Sequence, residues 1–310
     1  MNWINMRYIS YRFTLKQYLL LIRLANVFTT PSNILTGYFA IIIPAYTNSV
    51  HLSALMLSSV LLYIAGIVFN DYFDIQVDQK ERPYRPLPSK TVPKQNAFLI
   101  GMVSLIVANV LAFVVSWASL ILSIALSAIV IAYDYWLKKT IAGPITMATA
   151  RLLNVILGTS PVLFMLLENS NLFIRIVIIG ILMFLYILSI SILSRKEIEG
   201  TQVKRAIVYP FLIVFAIIIC IMLASYLGIF QIDLFVSLIL FVSIMIITFK
   251  QSITFYSSSD VIQNAVRNMI ISIIILDSVF ISGTAGLYYG LPIILFIVPS
   301  IVLSRKLYMT

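Results

Sequence analysis

The residues best suited to chemistry lie between positions 70 and 90, in the run Asn70-Asp71-Tyr72-Phe73-Asp74-Ile75-Gln76-Val77-Asp78, with Arg82, Arg85 and Lys90 close behind. Asn70, Asp74 and Asp78 are four apart, and each step of four advances a helix by about 400°, so the three share an arc of roughly 80° on one face. Asp71 sits beside that face. Oxygen-bearing side chains gathered so closely repel one another unless a cation lies between them. Hard oxygen donors suit Mg²⁺, which takes few carboxylates and leaves positions open for substrate phosphates. Carboxylates alone suit a cation, and basic groups alone suit an anion. Together they suit a diphosphate bridged to the protein by Mg²⁺. Pro83, Pro86 and Pro88 end the helix and stiffen the loop that carries the arginines. A solvated acidic helix end followed by ordinary surface arginines is the competing reading. The regular spacing, starting from an Asn at the edge of an apolar run, weighs against it.

The elements that must position these groups are membrane helices. Of 310 residues, 61% are hydrophobic and 10% are charged, against about 25% charged in a soluble domain. Apolar runs at 22–45, 52–70, 97–116, 119–137, 143–166, 172–193, 207–229, 233–250 and 269–304 predict about nine spans, with a kink or split expected at Gly290-Leu291-Pro292. The chain thus reads over 1–310 as a single all-α integral-membrane domain, a polytopic bundle around a central cavity. When sides alternate with each crossing, 17 of the 21 Lys and Arg fall on one face, which the positive-inside rule makes cytoplasmic, together with the N-terminus and the acidic motif. The net charge of +10 is explained by that bias, and no nucleic-acid partner is expected. Cys220, the one cysteine, reads as a buried inert thiol.

The pattern Asn70-x-x-x-Asp74-x-x-x-Asp78, followed by Arg82-Pro83 and Arg85-Pro86-Leu87, resembles the first aspartate-rich motif of the UbiA superfamily of intramembrane prenyltransferases. The nine-helix topology of that family, with this motif after the second helix, agrees with the spans and charges above. The resemblance implies that Asn70, Asp74 and Asp78, with Asp71 nearby, hold Mg²⁺ and that Arg82 and Arg85 bind the diphosphate. Arg23-Leu24-Ala25-Asn26 is similar to the Arg-x-x-Asn pair that opens the family's first helix, which puts Asn26 on the cavity. Tyr135 and Lys139 resemble a Tyr-x-x-x-Lys pattern near the diphosphate, with Lys138 as the alternative to Lys139.

Two further segments carry polar groups where lipid would reject them. Arg151 and Asn154 lie three apart in the fifth apolar run, so they share a helix face that should line the interior. The sixth run ends in Ser194-Arg195-Lys196-Glu197-Ile198-Glu199-Gly200-Thr201, where the family's second Asp-x-x-x-Asp motif belongs. This chain departs from that motif: Glu197 aligns with the first Asp and Thr201 with the second, Glu199 being a possible substitute. The resemblance makes Glu197 a catalytic metal ligand alongside Asp74 and Asp78, and Arg195 a diphosphate ligand. Asp277, inside the last run, could cap a polar contact within the bundle.

These features predict Mg²⁺-dependent transfer of a prenyl group from an isoprenoid diphosphate to a lipophilic or aromatic acceptor in the membrane. A terpene cyclase acting on the diphosphate alone is the alternative within the superfamily. A transporter of a phosphorylated solute is the non-enzymatic one, and it leaves the Asn-Asp-Asp ladder unexplained.

Overall fold

Lipid offers no hydrogen bonds, so a chain this apolar must satisfy its backbone within helices or a closed barrel. The computed structural model describes residues 15–42, 47–163, 169–198, 204–255 and 259–307, and all regular structure among them is helical. After a helical segment at 15–21, the order is α1 (Thr29–Phe39), α2 (Ser49–Phe73), α3 (Ile75–Glu81), α4 (Lys94–Val115), α5 (Trp117–Tyr135), α6 (Gly143–Thr159), α7 (Ser170–Ile198), α8 (Lys204–Tyr226), α9 (Leu234–Thr254), α10 (Ser259–Ala285), α11 (Leu287–Gly290) and α12 (Ile297–Leu307). Seven of these, α2, α4, α5 and α7 to α10, are long and apolar enough to cross a bilayer.

The difference from nine spans has local causes. The first apolar run is broken at Arg23, whose backbone is left-handed (φ 46°), so the segment at 15–21 stops and the 11-residue α1 starts anew. The fifth run yields the 17-residue α6, closed by a 3₁₀ turn at Ser160–Val162 that contains Pro161. The last run divides at Gly286 (φ 96°), where only glycine takes the conformation without strain, and breaks again at Gly290-Leu291-Pro292, where α11 gives way to a 3₁₀ helix over Leu291–Phe296. Cys220 is exposed on α8, facing outward from a membrane-length helix, which corrects the expectation of burial.

α2 packs along α4 and α5, α6 lies between α5 and α7, and α9 packs along α10. The short α1 is held between α2, α6 and α10. Two glycines set its distance from α6: a Cβ on Gly37 would collide with the Val155 carbonyl, and one on Gly158 with the Ile34 carbonyl. Small residues at such a crossing let two backbones touch where the hydrophobic effect cannot drive helices together. The second half packs solidly around buried Met183, Tyr186, Phe241, Met269 and Phe280. The first half is cemented by Leu55, Leu62, Phe69, Leu105, Leu126 and Leu157.

Gly158→Leu is therefore expected to destabilise the fold by at least the about 1–3 kcal/mol typical of overpacking, since the colliding atom is backbone. Gly180→Ala should be far milder, because its added Cβ meets only the Leu152 Cδ1 tip. Thermal unfolding in detergent compares the two.

Candidate active site

The site is built where α2 ends. The helical hydrogen bonds run on through the break between α2 and α3: Asp74 N donates to Asn70 O at 3.0 Å and Asp78 N to Asp74 O at 2.8 Å. Asp74 itself is non-helical (φ −88°, ψ 4°), being the last cap of α2 and the first of α3. That kink turns α3 relative to α2, so the three motif side chains do not share one direction. Asn70 and Asp74 border the cavity. Asp78 and Asp71 are buried instead, at 3% and 4% exposure, each against a guanidinium.

Their ion pairs form one connected set. Arg85 Nη1 donates to Asp78 Oδ2 at 2.8 Å and to Asp71 Oδ1 at 3.3 Å. Arg23, projected by its left-handed backbone, donates to the same Asp71 oxygen at 2.8 Å. Lys138 Nζ donates to Asp74 Oδ2 at 2.7 Å and Asn70 Oδ1 at 3.1 Å. The loop after α3 is held so that Arg85 keeps its position: Leu87 and Val92 are buried with Leu21 and Val68, and Val92 N closes a turn onto Pro86 O at 3.1 Å. Arg82 borders the cavity, and its side chain makes no ion pair among the described residues.

The cavity has a volume of ≈ 430 Å³ and is walled by α1, α2, α5 and α6. Asn70, Asp74, Arg23, Arg82 and Arg85 line its charged end. Leu62, Ile67, Leu126, Val130, Met147 and Ala150 line its apolar part, and Thr30, Ser59, Arg151 and Asn154 also belong to the wall. Arg151 and Asn154 thus reach the interior as their shared face predicts, but most of their polar atoms already serve α1. Arg151 donates to Thr29 O, Thr29 Oγ1 and Asn33 Oδ1 at 2.8–3.0 Å. Asn154 donates to Thr30 O at 3.0 Å and accepts from Ser59 Oγ at 2.7 Å. Asn33 passes the contact on, its amide donating to both oxygens of the fully buried Asp277, which also accepts from Ser32 Oγ at 2.6 Å and Thr36 Oγ1 at 2.7 Å. The polar contact expected of Asp277 is therefore real, and it ties α10 to α1.

Several sequence expectations need correcting. Lys138, and not Lys139, enters the site; Lys139 is exposed. Tyr135 is 65% exposed and turned against Phe73 and Trp136, while Tyr133, on another face of α5, borders the cavity. Arg195 does not border the cavity; its guanidinium donates to the carbonyls of Lys138 and Thr140, which fixes the turn that presents Lys138. Asn26 lies in the 3₁₀ turn, outside the cavity wall, and its carbonyl accepts from Thr29 Oγ1 at 2.9 Å. The Glu197 side chain, Glu199 and Thr201 lie outside the described residues. Tyr63, Tyr133 and Asp134 line the cavity without having been singled out. The signal for Asp134 was present in the sequence: an acid one turn before Lys138 at the end of an apolar run.

Among the described residues no three carboxylates, histidines or cysteines converge on one point. Two oxygens do converge: Asn70 Oδ1 and Asp74 Oδ2 share the Lys138 ammonium, so this spot already holds one positive charge. An amide oxygen and one carboxylate, completed by substrate phosphates, match the hard, sparse protein ligation that Mg²⁺ prefers. Asn70 and Asp74 therefore fit the ion.

Fold and site together define a helical membrane bundle with a cation-balanced acidic mouth over a largely apolar cavity. The chain belongs to the UbiA prenyltransferase family, whose model matches residues 32–274. It is 27% identical over 185 residues to a digeranylgeranylglyceryl phosphate synthase of Methanosphaera stadtmanae, a match covering 58% of this chain and 65% of that one. It is 26% identical over 149 residues to the enzyme of that name from Saccharolobus solfataricus, covering 47% and 51%. The chain thus spans less than two thirds of the length of these relatives. In fold it is similar to a UbiA homolog from Archaeoglobus fulgidus bound to DMAPP and Mg²⁺, with TM-score 0.65, 16% identity and coverage of 90% of this chain and 99% of that one. A UbiA homolog from Aeropyrum pernix K1 is likewise similar, with TM-score 0.65, 12% identity and coverage of 82% and 96%. Seven membrane-length helices and family membership make this an integral membrane protein.

Asp277→Leu should destabilise the protein by about 3–5 kcal/mol, the cost of removing one side of a buried charged network. It strands the donors of Ser32, Asn33 and Thr36 and takes from Arg151 its relayed countercharge. Asp277→Asn, which keeps an acceptor oxygen, should fall between the two. The check is the midpoint of thermal unfolding in detergent.

Proposed function

We propose that this protein transfers a prenyl group from an isoprenoid diphosphate, with Mg²⁺, to an acceptor that enters from the membrane. One observation carries the reading: Asn70 and Asp74 stand with Lys138, Arg82 and Arg85 at the charged end of a cavity whose remaining wall is largely apolar. The diphosphate belongs at the charged end and the isoprenoid chain along the apolar wall. Asn70 and Asp74 are the residues to hold Mg²⁺, which supplies Lewis-acid stabilisation of the leaving diphosphate's charge. With those two oxygens on the ion, Lys138, which bridges them in this structure, would turn to a phosphate oxygen, while Arg82 would meet the diphosphate directly. Arg85 and Arg23 neutralise Asp71 and Asp78, so the mouth does not present three bare carboxylates to an anion. The apolar wall keeps water from the allylic carbon once its C1–O bond ionises. Glu197 and Arg195, at the end of α7, serve the same leaving group in this reading, Arg195 through the Lys138 turn. The mouth and the N-terminal side face the cytoplasm, by the bias of Lys and Arg.

The names of the relatives support a glyceryl phosphate acceptor and a geranylgeranyl donor. The polar groups along the wall, Asp134 among them, suit a second substrate that hydrogen-bonds beside C1, which favours transfer over cyclisation.

Purified protein incubated with C10, C15 and C20 allylic diphosphates, Mg²⁺ and either a prenylglyceryl phosphate or a hydroxybenzoate should yield a prenylated acceptor by mass spectrometry. EDTA should abolish turnover, and Asp74→Ala should lower it by at least 100-fold. Lys138→Ala should weaken diphosphate binding about tenfold, a change of about 1.4 kcal/mol, with Lys139→Ala near wild type. A cyclic hydrocarbon formed from the diphosphate alone would establish the cyclase instead, and turnover undiminished in EDTA would refute the metal site.

A further inference from the structure

The cavity wall contains one carboxylate that neither the metal site nor the ion-pair set uses. Asp134, the penultimate residue of α5, is 3% exposed. Its Oδ2 is buried without any hydrogen-bond partner among the described residues, and no ion pair joins it. Every other buried carboxylate described near the mouth has a cation. A buried acid left in this state is costly, and a fold retains such a cost where a ligand completes the group.

Its position says which ligand. Asp134 precedes Lys138 by four residues on one side of the cavity, as Gly66 precedes Asn70 by four on the other, and Asn70 and Lys138 are in contact at 3.1 Å. Asp134 and Gly66 thus form the next layer inward from the diphosphate end. A Cβ placed on Gly66 would collide with Val130 Cγ1 at 2.7 Å and lie 4.0 Å from Asp134 Oδ2, so the glycine stands beside the carboxylate at this level of the wall. On the α2 side, the four residues from Gly66 to Asn70 rise about 6 Å. An oxygen attacking C1 in line, at a contact of about 3 Å, stands roughly that far behind the phosphorus that departs.

We propose that Asp134 binds the hydroxyl group of an alcohol acceptor and takes its proton as that oxygen attacks C1. This rests on the prenyl-transfer reading and its glyceryl phosphate acceptor, and adds to them the base. The C1–O bond to the diphosphate breaks, with its electron pair leaving on the diphosphate. The acceptor oxygen bonds to C1, and its proton passes to the Asp134 carboxylate, which borders the cavity, and from there to the departing diphosphate or to solvent. An alcohol acceptor supplies, at the atom that attacks C1, the O–H donor that an unpartnered carboxylate calls for in the bound state.

The test uses full-length Asp134→Asn and Asp134→Ala proteins with geranylgeranyl diphosphate, Mg²⁺ and two acceptors, a prenylglyceryl phosphate alcohol and its thiol analogue. The thiol parts with its proton far more readily, near pH 8.5 for a cysteine-like group, and so needs little help from a base. Transfer to the alcohol should fall by about 10²–10⁴-fold, the usual worth of general-base catalysis. Transfer to the thiol should fall less than tenfold. Both variants should melt at or above the wild-type temperature, since neither loses a hydrogen bond made within the chain. Alcohol transfer at the wild-type rate in Asp134→Asn overturns the proposal. So does parallel loss of alcohol and thiol transfer, which would mark a structural residue. Wild-type protein that neither transfers nor hydrolyses any prenyl diphosphate would overturn the prenyl-transfer reading itself, an outcome distinct from both.

Discussion

Everything in this bundle depends on how α1 is held. It is 11 residues long, too short to span a bilayer, and its buried positions include Thr29, Thr30, Ser32, Asn33 and Thr36. In an apolar surround each of those groups must find a partner inside the protein. They find two charged clamps: Arg151 of α6 on one side and Asp277 of α10 on the other, joined through the Asn33 amide. The clamps connect helices from the two halves of the chain, and the backbone-to-backbone crossing at Gly37 and Gly158 leaves them little freedom. Removing one charge exposes the other, so the network is stable only as a whole.

The same logic governs the mouth. Asp71 and Asp78 are nearly as buried as core leucines, and what makes that tolerable is Arg85 lying between them, with Arg23 added at Asp71. Arg23 and Asp71 are 48 positions apart, and Lys138 and Asp74 are 64 apart. These long-range pairs draw the start of α1, the end of α2 and the turn after α5 to one end of the bundle. Arg195 of α7 joins them through the turn's carbonyls. The charged end is thereby organised before any substrate arrives, which is the condition for electrostatic stabilisation without reorganisation. The apolar wall beyond it lowers the local dielectric and strengthens each of these interactions.

Much of this was legible in the sequence. Hydropathy alone specifies the membrane helices, because about 20 apolar residues in a row have no other stable home. The spacing Asn70-Asp74-Asp78 locates the mouth, and the alternation of Lys and Arg agrees with an arrangement in which Arg23, Arg85, Lys138 and Arg195 meet at one end. Arg151 and Asn154, three apart in lipid-soluble surroundings, had to face inward, and they do.

What the sequence could not decide is where each side chain finally points. Helical period places Asn70, Asp74 and Asp78 on one face, but the non-helical backbone at Asp74 turns α3 away, and Arg85 then captures Asp78. Lys138 and Lys139 are adjacent and chemically alike; only the 3₁₀ turn after α5, held by Arg195, sends one inward and leaves the other exposed. Tyr133 and Tyr135 separate for the same reason of angle about the helix. Local sequence determines secondary structure and which residues carry charge, whereas the choice among neighbouring donors and acceptors is made by partners many tens of residues away. Those partners meet only when the bundle closes.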